Sequence, residues 1–345
     1  MEAFTYDQQP GRFVFGAGAA ATQLAGEVDR LAARRVLVIA SARDDRRVAE
    51  LVAPLGARVV ARFSDVREHV PVRTAEAARV AAKQADADAL LAIGGGSTVG
   101  AAKAVALTAR IPILAVPTTY AGSEVTPVWG LTEGGRKRTG VDPAVLPRTV
   151  VYDPELVATL PRELAAASGF NALAHAVEAM WAPRRNPVST AVAQEAVARI
   201  AAGLRTGDPA ELLCGAWLGA SAFAVAGSGL HHKLAHVLGG TFGMPHARTH
   251  AVLLPHVLAF NAPGAPDVVG RVGAALGVDD AVGGLRALAD EHGIPRGLRS
   301  VGLPEEAIEE AAALTAQAVP EDNPVPVGDG ALARLVRAAW SGEDL

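Results

Sequence analysis

The sequence predicts an α/β N-terminal lobe built on a parallel sheet, followed by an all-α C-terminal lobe. Three observations carry that expectation. The chain has 345 residues, about twice a typical domain, so two lobes come first to mind. Between residue 34 and residue 152, short β-branched apolar runs alternate with Ala-rich helical stretches, the pattern of parallel strands joined by crossover helices. From Pro161 onward the text turns to long Ala/Leu/Val segments punctuated by Gly and Pro, with few strand-like runs. The boundary is placed so that one domain spans 1–152 and the other 153–345.

In order along the chain, RRVLVIA (34–40) reads as a strand, ARDDRRVAELVAPLG (42–56) as a helix and ARVVARF (57–63) as the next strand. PVRTAEAARVAAKQADA (71–87) is a helix, and ALLAIGGG (89–96) is a buried strand that runs into three glycines. IPILAVPTT (111–119) is a strand leading into YAGSEVTP, and RTVVYDP (148–154) is the last strand, stopped by Pro154. Beyond it, RELAAASGFNALAHAVEAMW (162–181), STAVAQEAVARIAAGL (189–204) and PEEAIEEAAALTAQAV (304–319) are helices. A parallel α/β lobe followed by a helical one places the expected ligand cleft at their junction.

Composition narrows the function classes. With 32 Lys+Arg against 36 Asp+Glu the net charge is -4, which provides no basic footprint for nucleic acid. Cys214 is the only cysteine; inside LLCGAWLGASAFAVAG it reads as a small core residue, and the absence of any disulfide partner fits a reducing cytoplasm. The start, MEAFTYDQQPGRFVFG, lacks a basic segment followed by an apolar one, and the longest apolar runs are too short or too interrupted to span a bilayer. A soluble cytoplasmic chain with no membrane partner is expected. Among the basic residues 28 are Arg and only four are Lys, namely Lys83, Lys103, Lys137 and Lys233. In such a background a lysine marks places where a compact ammonium works and a guanidinium fork does not.

Two constellations carry chemistry. Gly94, Gly95, Gly96 and Ser97 close a strand and open a helix, so backbone N–H groups can approach a phosphate without a Cβ in the way. Thr118, Thr119 and Ser123 follow a second strand end, and carboxyl ends of neighbouring parallel strands converge on one crevice. The other constellation is histidine, since seven of nine lie between His175 and His256. Asn171 and His175 share one helix face, His232 and His236 share another, and His246 follows in the loop GMPHARTHA. His175, His232 and His246 would make a three-imidazole zinc site. Without metal, the same groups with Lys233 make a positively polarised pocket for an anion.

GGGS at 94–97, TTYAGSE at 118–124, NALAH at 171–175, LHHKLAHVLGG at 230–240 and PHARTHAVLLPHV at 245–257 occur in an order that resembles the iron-containing alcohol dehydrogenases, whose fold is related to that of dehydroquinate synthase. Within that family NALAH, LHHK, PHARTHA, DPAVLPRTVVYDP and NPVPV are similar to the maleylacetate-reducing branch. The resemblance implies a homodimeric oxidoreductase that uses NADH or NADPH to reduce the C=C bond of maleylacetate, a small dicarboxylate of aromatic-compound degradation, to 3-oxoadipate. A metal-dependent alcohol dehydrogenase or aldehyde reductase is the alternative. The family's metal ligands map onto Asn171, His175, His232 and His246, but the metal-dependent majority has Asp in place of Asn171, Gly in place of Ala247, and Asp in place of Gly100. Metal is therefore expected to be dispensable. For that chemistry His and Lys suit both charge stabilisation and proton transfer, so His232 and Lys233 are expected on the substrate carboxylates and enolate, His236 by the nicotinamide as proton donor or oxygen ligand, His175 and His246 as polar walls and Asn171 as an orienting amide. Lys137 and Tyr120 are further candidates for substrate contact. Ser41, with Arg43 beside it, stands where many dinucleotide sites carry an acid that repels a 2′-phosphate. NADPH is expected to serve at least as well as NADH, with Asp44 and Asp45 as the opposing influence.

Overall fold

A computed structural model describes residues 4–9, 11–134, 136–328 and 330–344, without the side chains at 136 and 137. Its α/β unit runs from Gln9 to Thr159, and the helical unit from Leu160 onward also takes in the segment that ends at Gln8. The division thus falls a few residues beyond the expected 152/153, because the short helix after the last strand stays with the sheet.

In chain order the α/β unit contains β1 (Arg12–Phe15), α1 (Ala19–Arg30), β2 (Val36–Ala40), α2 (Asp45–Val52), β3 (Val59–Phe63), α3 (Val72–Gln84) and β4 (Ala89–Gly94). It continues with α4 (Gly96–Ala109), β5 (Ile113–Pro117), a hairpin of β6 (Val128–Glu133) and β7 (Arg136–Val141), then β8 (Thr149–Tyr152) and α5 (Pro154–Val157). Six strands form one parallel sheet in the order β1-β8-β5-β4-β2-β3, and β6 pairs with β7 antiparallel. Alternation along the strands supplies both faces. Val36, Val38, Leu91, Ile93, Leu114 and Val151 pack under Leu24 and Val28 of α1 and Val48 and Leu51 of α2. Leu37, Ile39, Leu90, Ala92 and Ile113 pack on the other face with Ala78 of α3 and Ala102 and Val105 of α4. The chain winds outward from β2 to β3 and then returns to lay β4 on the other side of β2. This reversal opens a crevice beyond the carboxyl ends of β2 and β4, the place where such sheets bind ligands.

The helical unit holds α6 (Arg162–Ala179), α7 (Pro187–Thr206), α8 (Pro209–Ala226), α9 (Leu230–Phe242), α10 (His246–Asn261), α11 (Pro266–Leu276), α12 (Ala281–Glu291), α13 (Ala307–Ala316) and α14 (Ala331–Ser341). From Ala166 to Ala179 every residue of α6 is buried, so this helix is the axis of the unit rather than an amphipathic surface element. Small residues allow its neighbours close: a Cβ on Gly219 of α8 would sit 3.1 Å from the Ala172 carbonyl oxygen. Two expectations change here. Among the described residues α8 is, by length and composition, apolar enough to cross a membrane; it packs against α6 and α7, as a core helix does. Cys214, on α8, is half-buried rather than fully buried, and partial burial raises its thiol above the ordinary value.

Candidate active site

The glycine turn lies where β4 ends and α4 begins, and its backbone needs glycine. Gly94 has φ +154°, and a Cβ there would come within 2.3 Å of Thr98 Oγ1. A Cβ on Gly95 would lie 2.9 Å from Thr119 Cγ2, and one on Gly96 3.2 Å from Ala121 Cβ. The turn and the strap after β5 are therefore in contact, and the Thr118 amide donates to the Gly94 carbonyl at 3.1 Å. Ser97, Thr118, Thr119 and Ser123 are all half-buried, hydroxyls with surface to offer beside the amides at the head of α4. Gly100 faces Val70, whose Cγ2 would be 2.7 Å from an added Cβ, so an Asp at this position requires that valine to move.

Ser41 follows β2 on the adjacent strand, but its Oγ accepts the Arg43 amide at 3.3 Å and caps the turn over Ala42–Asp44. The hydroxyl is thus partly committed to its own loop. Tyr120 lies in the same strap as Thr119 and is buried, 2% exposed; it belongs to the α/β unit, not to the unit that gathers the histidines. The backbone of Lys137 lies on β7 opposite Thr132, and its side chain is outside the described residues.

In the helical unit Asn171 and His175 are buried on one face of α6, and His232 is buried on α9. Lys233 is half-buried, whereas His236 and His246 are exposed. His246 is not in a loop as expected: it is the first residue of α10, directly after the extended Pro245 at the cap position. The rings form a continuous array. His175 stacks on His232 at 4.9 Å between centroids, His232 lies 4.7 Å from His250, and His250 lies 4.4 Å from His246, which stacks with His236 at 6.5 Å. Phe223 closes over His232 at 4.2 Å and His175 at 5.0 Å.

Three participants had no part in the sequence expectation. Glu178, fully buried on α6, accepts the His231 amide at 2.6 Å and the His232 amide at 3.3 Å, and its Oε2 lies 2.5 Å from His232 Nδ1. It caps α9 from another helix, since Gly229 at the cap position has no side chain to do so. An added Cβ on Gly229 would lie 3.1 Å from Glu178 Oε1, so the glycine admits the carboxylate. His231 Nε2 and His250 Nδ1 lie 2.9 Å apart, both rings fully buried. The sequence signal was present in part: Glu178 follows His175 by three residues, hence on the same helix face.

Burial sets the protonation. Desolvation lowers His175 to about 4 and, with help from His175 and His236, His231 to about 3; His232 and His250 are pushed well below the ordinary value by burial and neighbouring imidazoles. Desolvation raises Glu178 to about 7, against the amides of Gly229, His232 and His231 and the charge of Lys233. A neutral His232 beside ionised Glu178 carries its proton on Nδ1 and leaves Nε2 a bare lone pair; with Glu178 protonated, the hydroxyl donates to Nδ1 and Nε2 bears the hydrogen. Asn171 Oδ1, His175 Nδ1 and His232 Nε2 are buried without a partner, the condition of groups that await a ligand.

The family is now settled by comparison. The model of the iron-containing alcohol dehydrogenases matches residues 10–154, and that of the family's C-terminal domain matches 165–340. The chain belongs to the iron-containing alcohol dehydrogenase family. It is 45% identical over 347 residues to a maleylacetate reductase of Sphingobium indicum, covering 98% of each chain. A solved iron-containing alcohol dehydrogenase from Corynebacterium glutamicum superposes with TM-score 0.96 at 45% identity, covering 100% of this chain and 98% of that one. The maleylacetate reductase of Agrobacterium tumefaciens superposes with TM-score 0.93 at 37% identity over 100% of both chains.

The donors present do not fit the metal for which the family is named. His175, His232 and His246 would offer a cation three neutral imidazoles, a set that suits zinc better than a hard dication. Asn171 brings an amide, and Glu178 is spent on two amides and an imidazole. A hard dication favours ionised oxygen ligands that this arrangement does not supply.

Proposed function

We propose that the protein reduces maleylacetate to 3-oxoadipate with NADH or NADPH and no metal. The relatives that carry this activity cover the chain end to end. The observation that carries the reading is the charge layout of the helical unit: unpartnered neutral groups at Asn171, His175 and His232, the ammonium of Lys233, and a carboxylate, Glu178, already engaged. A dianion meets attraction there and little repulsion.

When bound, a reduced dinucleotide would supply the hydride for the alkene carbon β to the ketone; the charge that then develops on the ketone oxygen and the proton needed at the α carbon are what this chain's residues must provide for. Lys233 and His232, the latter with its hydrogen on Nε2 when Glu178 is protonated, hold the carboxylates and the enolate oxygen, where oriented donors stabilise developing charge. Asn171 orients the substrate through its amide, and His175 and His246 form polar walls. His236, exposed on α9, delivers the proton. In the α/β unit the amides of Gly94–Ser97 with the hydroxyls of Thr118, Thr119 and Ser123 cradle the pyrophosphate, and Ser41 stands by the ribose, leaving room for NADPH beside NADH. A homodimer in the cytoplasm belongs to the same reading.

The test is oxidation of each reduced nicotinamide by maleylacetate before and after dialysis against a chelator. Full activity after chelation is expected; activity lost to the chelator and restored by Fe²⁺ or Zn²⁺ would establish the metal-dependent alternative. Lys233→Ala should raise KM for maleylacetate at least tenfold with dinucleotide affinity unchanged, and Lys233→Arg should not rescue it. Wild-type kinetics in Lys233→Arg would remove the lysine from the site.

A further inference from the structure

Lys103 is one of the chain's four lysines and has no part in the chemistry above, yet it is the largest charged side chain in the core, 1% exposed on α4. Its Nζ donates to the Thr126 carbonyl at 2.8 Å, to Thr126 Oγ1 at 3.2 Å and to the Val128 carbonyl at 2.7 Å. Three acceptors match the three hydrogens of an ammonium. A guanidinium, planar and larger, cannot address three oxygens converging on one point. All three acceptors lie at the end of the strap that begins with Thr118 and Thr119. Glu124, in the middle of that strap and 3% exposed, accepts the Tyr152 hydroxyl of β8 at 2.9 Å. The strap is therefore tied to β8 at Glu124 and to α4 at Thr126 and Val128, and on the N-terminal side of both ties it touches the glycine turn at Thr119 and Ala121.

We propose that Lys103 is a positioning residue for the dinucleotide: by tying residues 126–128 to α4, with Glu124 and Tyr152 holding the same strap from the sheet, it fixes the spacing between the Gly94–Ser97 turn and the Thr118–Ser123 hydroxyls. This rests on the reading of that crevice as the cofactor cradle. Burial lowers Lys103 to about 7 while the charge of Glu124 opposes it, so the ammonium is held at a cost in stability. An apolar side chain would fill the same space more cheaply, and the tie to the strap is what the lysine adds.

Binding of NADH and NADPH to wild type, Lys103→Met and Tyr152→Phe, measured by nicotinamide fluorescence in the absence of substrate, decides the matter. Dinucleotide Kd should rise about tenfold in Lys103→Met and about threefold in Tyr152→Phe, while kcat at saturating cofactor and KM for maleylacetate stay within twofold. That split distinguishes positioning from general loosening, which would lower kcat and raise both KM values together. Unchanged Kd in Lys103→Met, or a uniform loss, overturns the proposal. Should Lys103→Met fail to fold, Tyr152→Phe, which removes one hydroxyl, decides alone. A wild type that binds neither dinucleotide would instead refute the cofactor reading itself.

Discussion

Glu178 performs two jobs that pull on one carboxylate. It terminates α9 by accepting two backbone amides, and it sets the tautomer of His232 by contact at Nδ1. In Glu178→Gln the carbonyl oxygen can keep the amides, but the new N–H₂ can only donate to His232 Nδ1, which forces the ring hydrogen onto Nε2. That is the tautomer in which Nε2 donates to the substrate oxygens, so kcat at pH 6 should stay within about threefold of wild type and should lose the decline that wild type shows as pH rises through 7 and Glu178 ionises, with dinucleotide Kd unchanged. A fall in kcat of tenfold or more at pH 6 would show that the carboxyl itself, and not the donating ring, is what the site needs. Asn171→Asp works in the opposite direction, adding a carboxylate beside His175 and His232. Metal content of the purified variant should rise above wild type by elemental analysis, and maleylacetate turnover should drop; unchanged metal and full activity would separate this pocket from metal binding altogether.

At the level of elements, the glycine turn is the least replaceable segment. Gly94→Ala must accept a conformation that L side chains avoid and displace Thr98 Oγ1 from 2.3 Å, so it should weaken dinucleotide binding at least tenfold, whereas Gly96→Ala, at 3.2 Å from Ala121 Cβ, should cost far less. Equal affinities in the two variants would place the phosphates elsewhere. This turn was legible in the sequence, as were β2, β4, β5 and β8, because strands buried on both faces read as unbroken apolar runs; β3, an edge strand interrupted by Arg62, was legible from its β-branched start and its place between two helical stretches. β1 was not, being four residues at the sheet edge with Phe13 and Phe15 exposed. The hairpin of β6 and β7 escaped as well, since RKRTGV has no apolar alternation to announce a strand. Among site residues, Asn171, His175 and His232 stood out by helical spacing. Glu178 did not, and Lys103 stood out only as one of four lysines with no role attached, because their partners lie 53 and 23 residues away and only the tertiary fold reveals what a buried charge is for.

For the molecule as a whole, the histidine array links stability to pH. A group whose folded pKa is depressed holds on to stability above its unfolded value and loses it as pH falls toward the folded one. His175 goes from 6.5 unfolded to about 4 folded and His231 to about 3, so unfolded chains take up protons that the native state refuses. Between pH 6.5 and 4 the His175 contribution alone changes by roughly 3 kcal/mol, and His232 and His250 act in the same direction. Glu178, raised to about 7, and Glu124, also raised by burial, act in the opposite direction, but four imidazoles outweigh two carboxyls, so the melting temperature should fall across that interval. The quadruple replacement His175→Gln, His231→Gln, His232→Gln and His250→Gln, if folded, should flatten the profile; a Tm independent of pH from 6.5 to 4 in wild type would contradict the burial of these rings.

The sheet also imposes a schedule on synthesis. Among the described residues β1 pairs only with β8, from Arg12 beside Thr149 to Phe15 beside Tyr152, and the carboxylate of Asp153 receives the amides of Gly18 and Ala20 at the start of α1. On the ribosome the first strand to emerge must therefore wait for the last one of its sheet, an interval on the order of ten seconds at ordinary elongation rates. During that time an edge strand bearing Phe13 and Phe15 has no companion, and the nascent chain's exposure to chaperones or misassembly is set by how quickly residue 153 clears the exit tunnel.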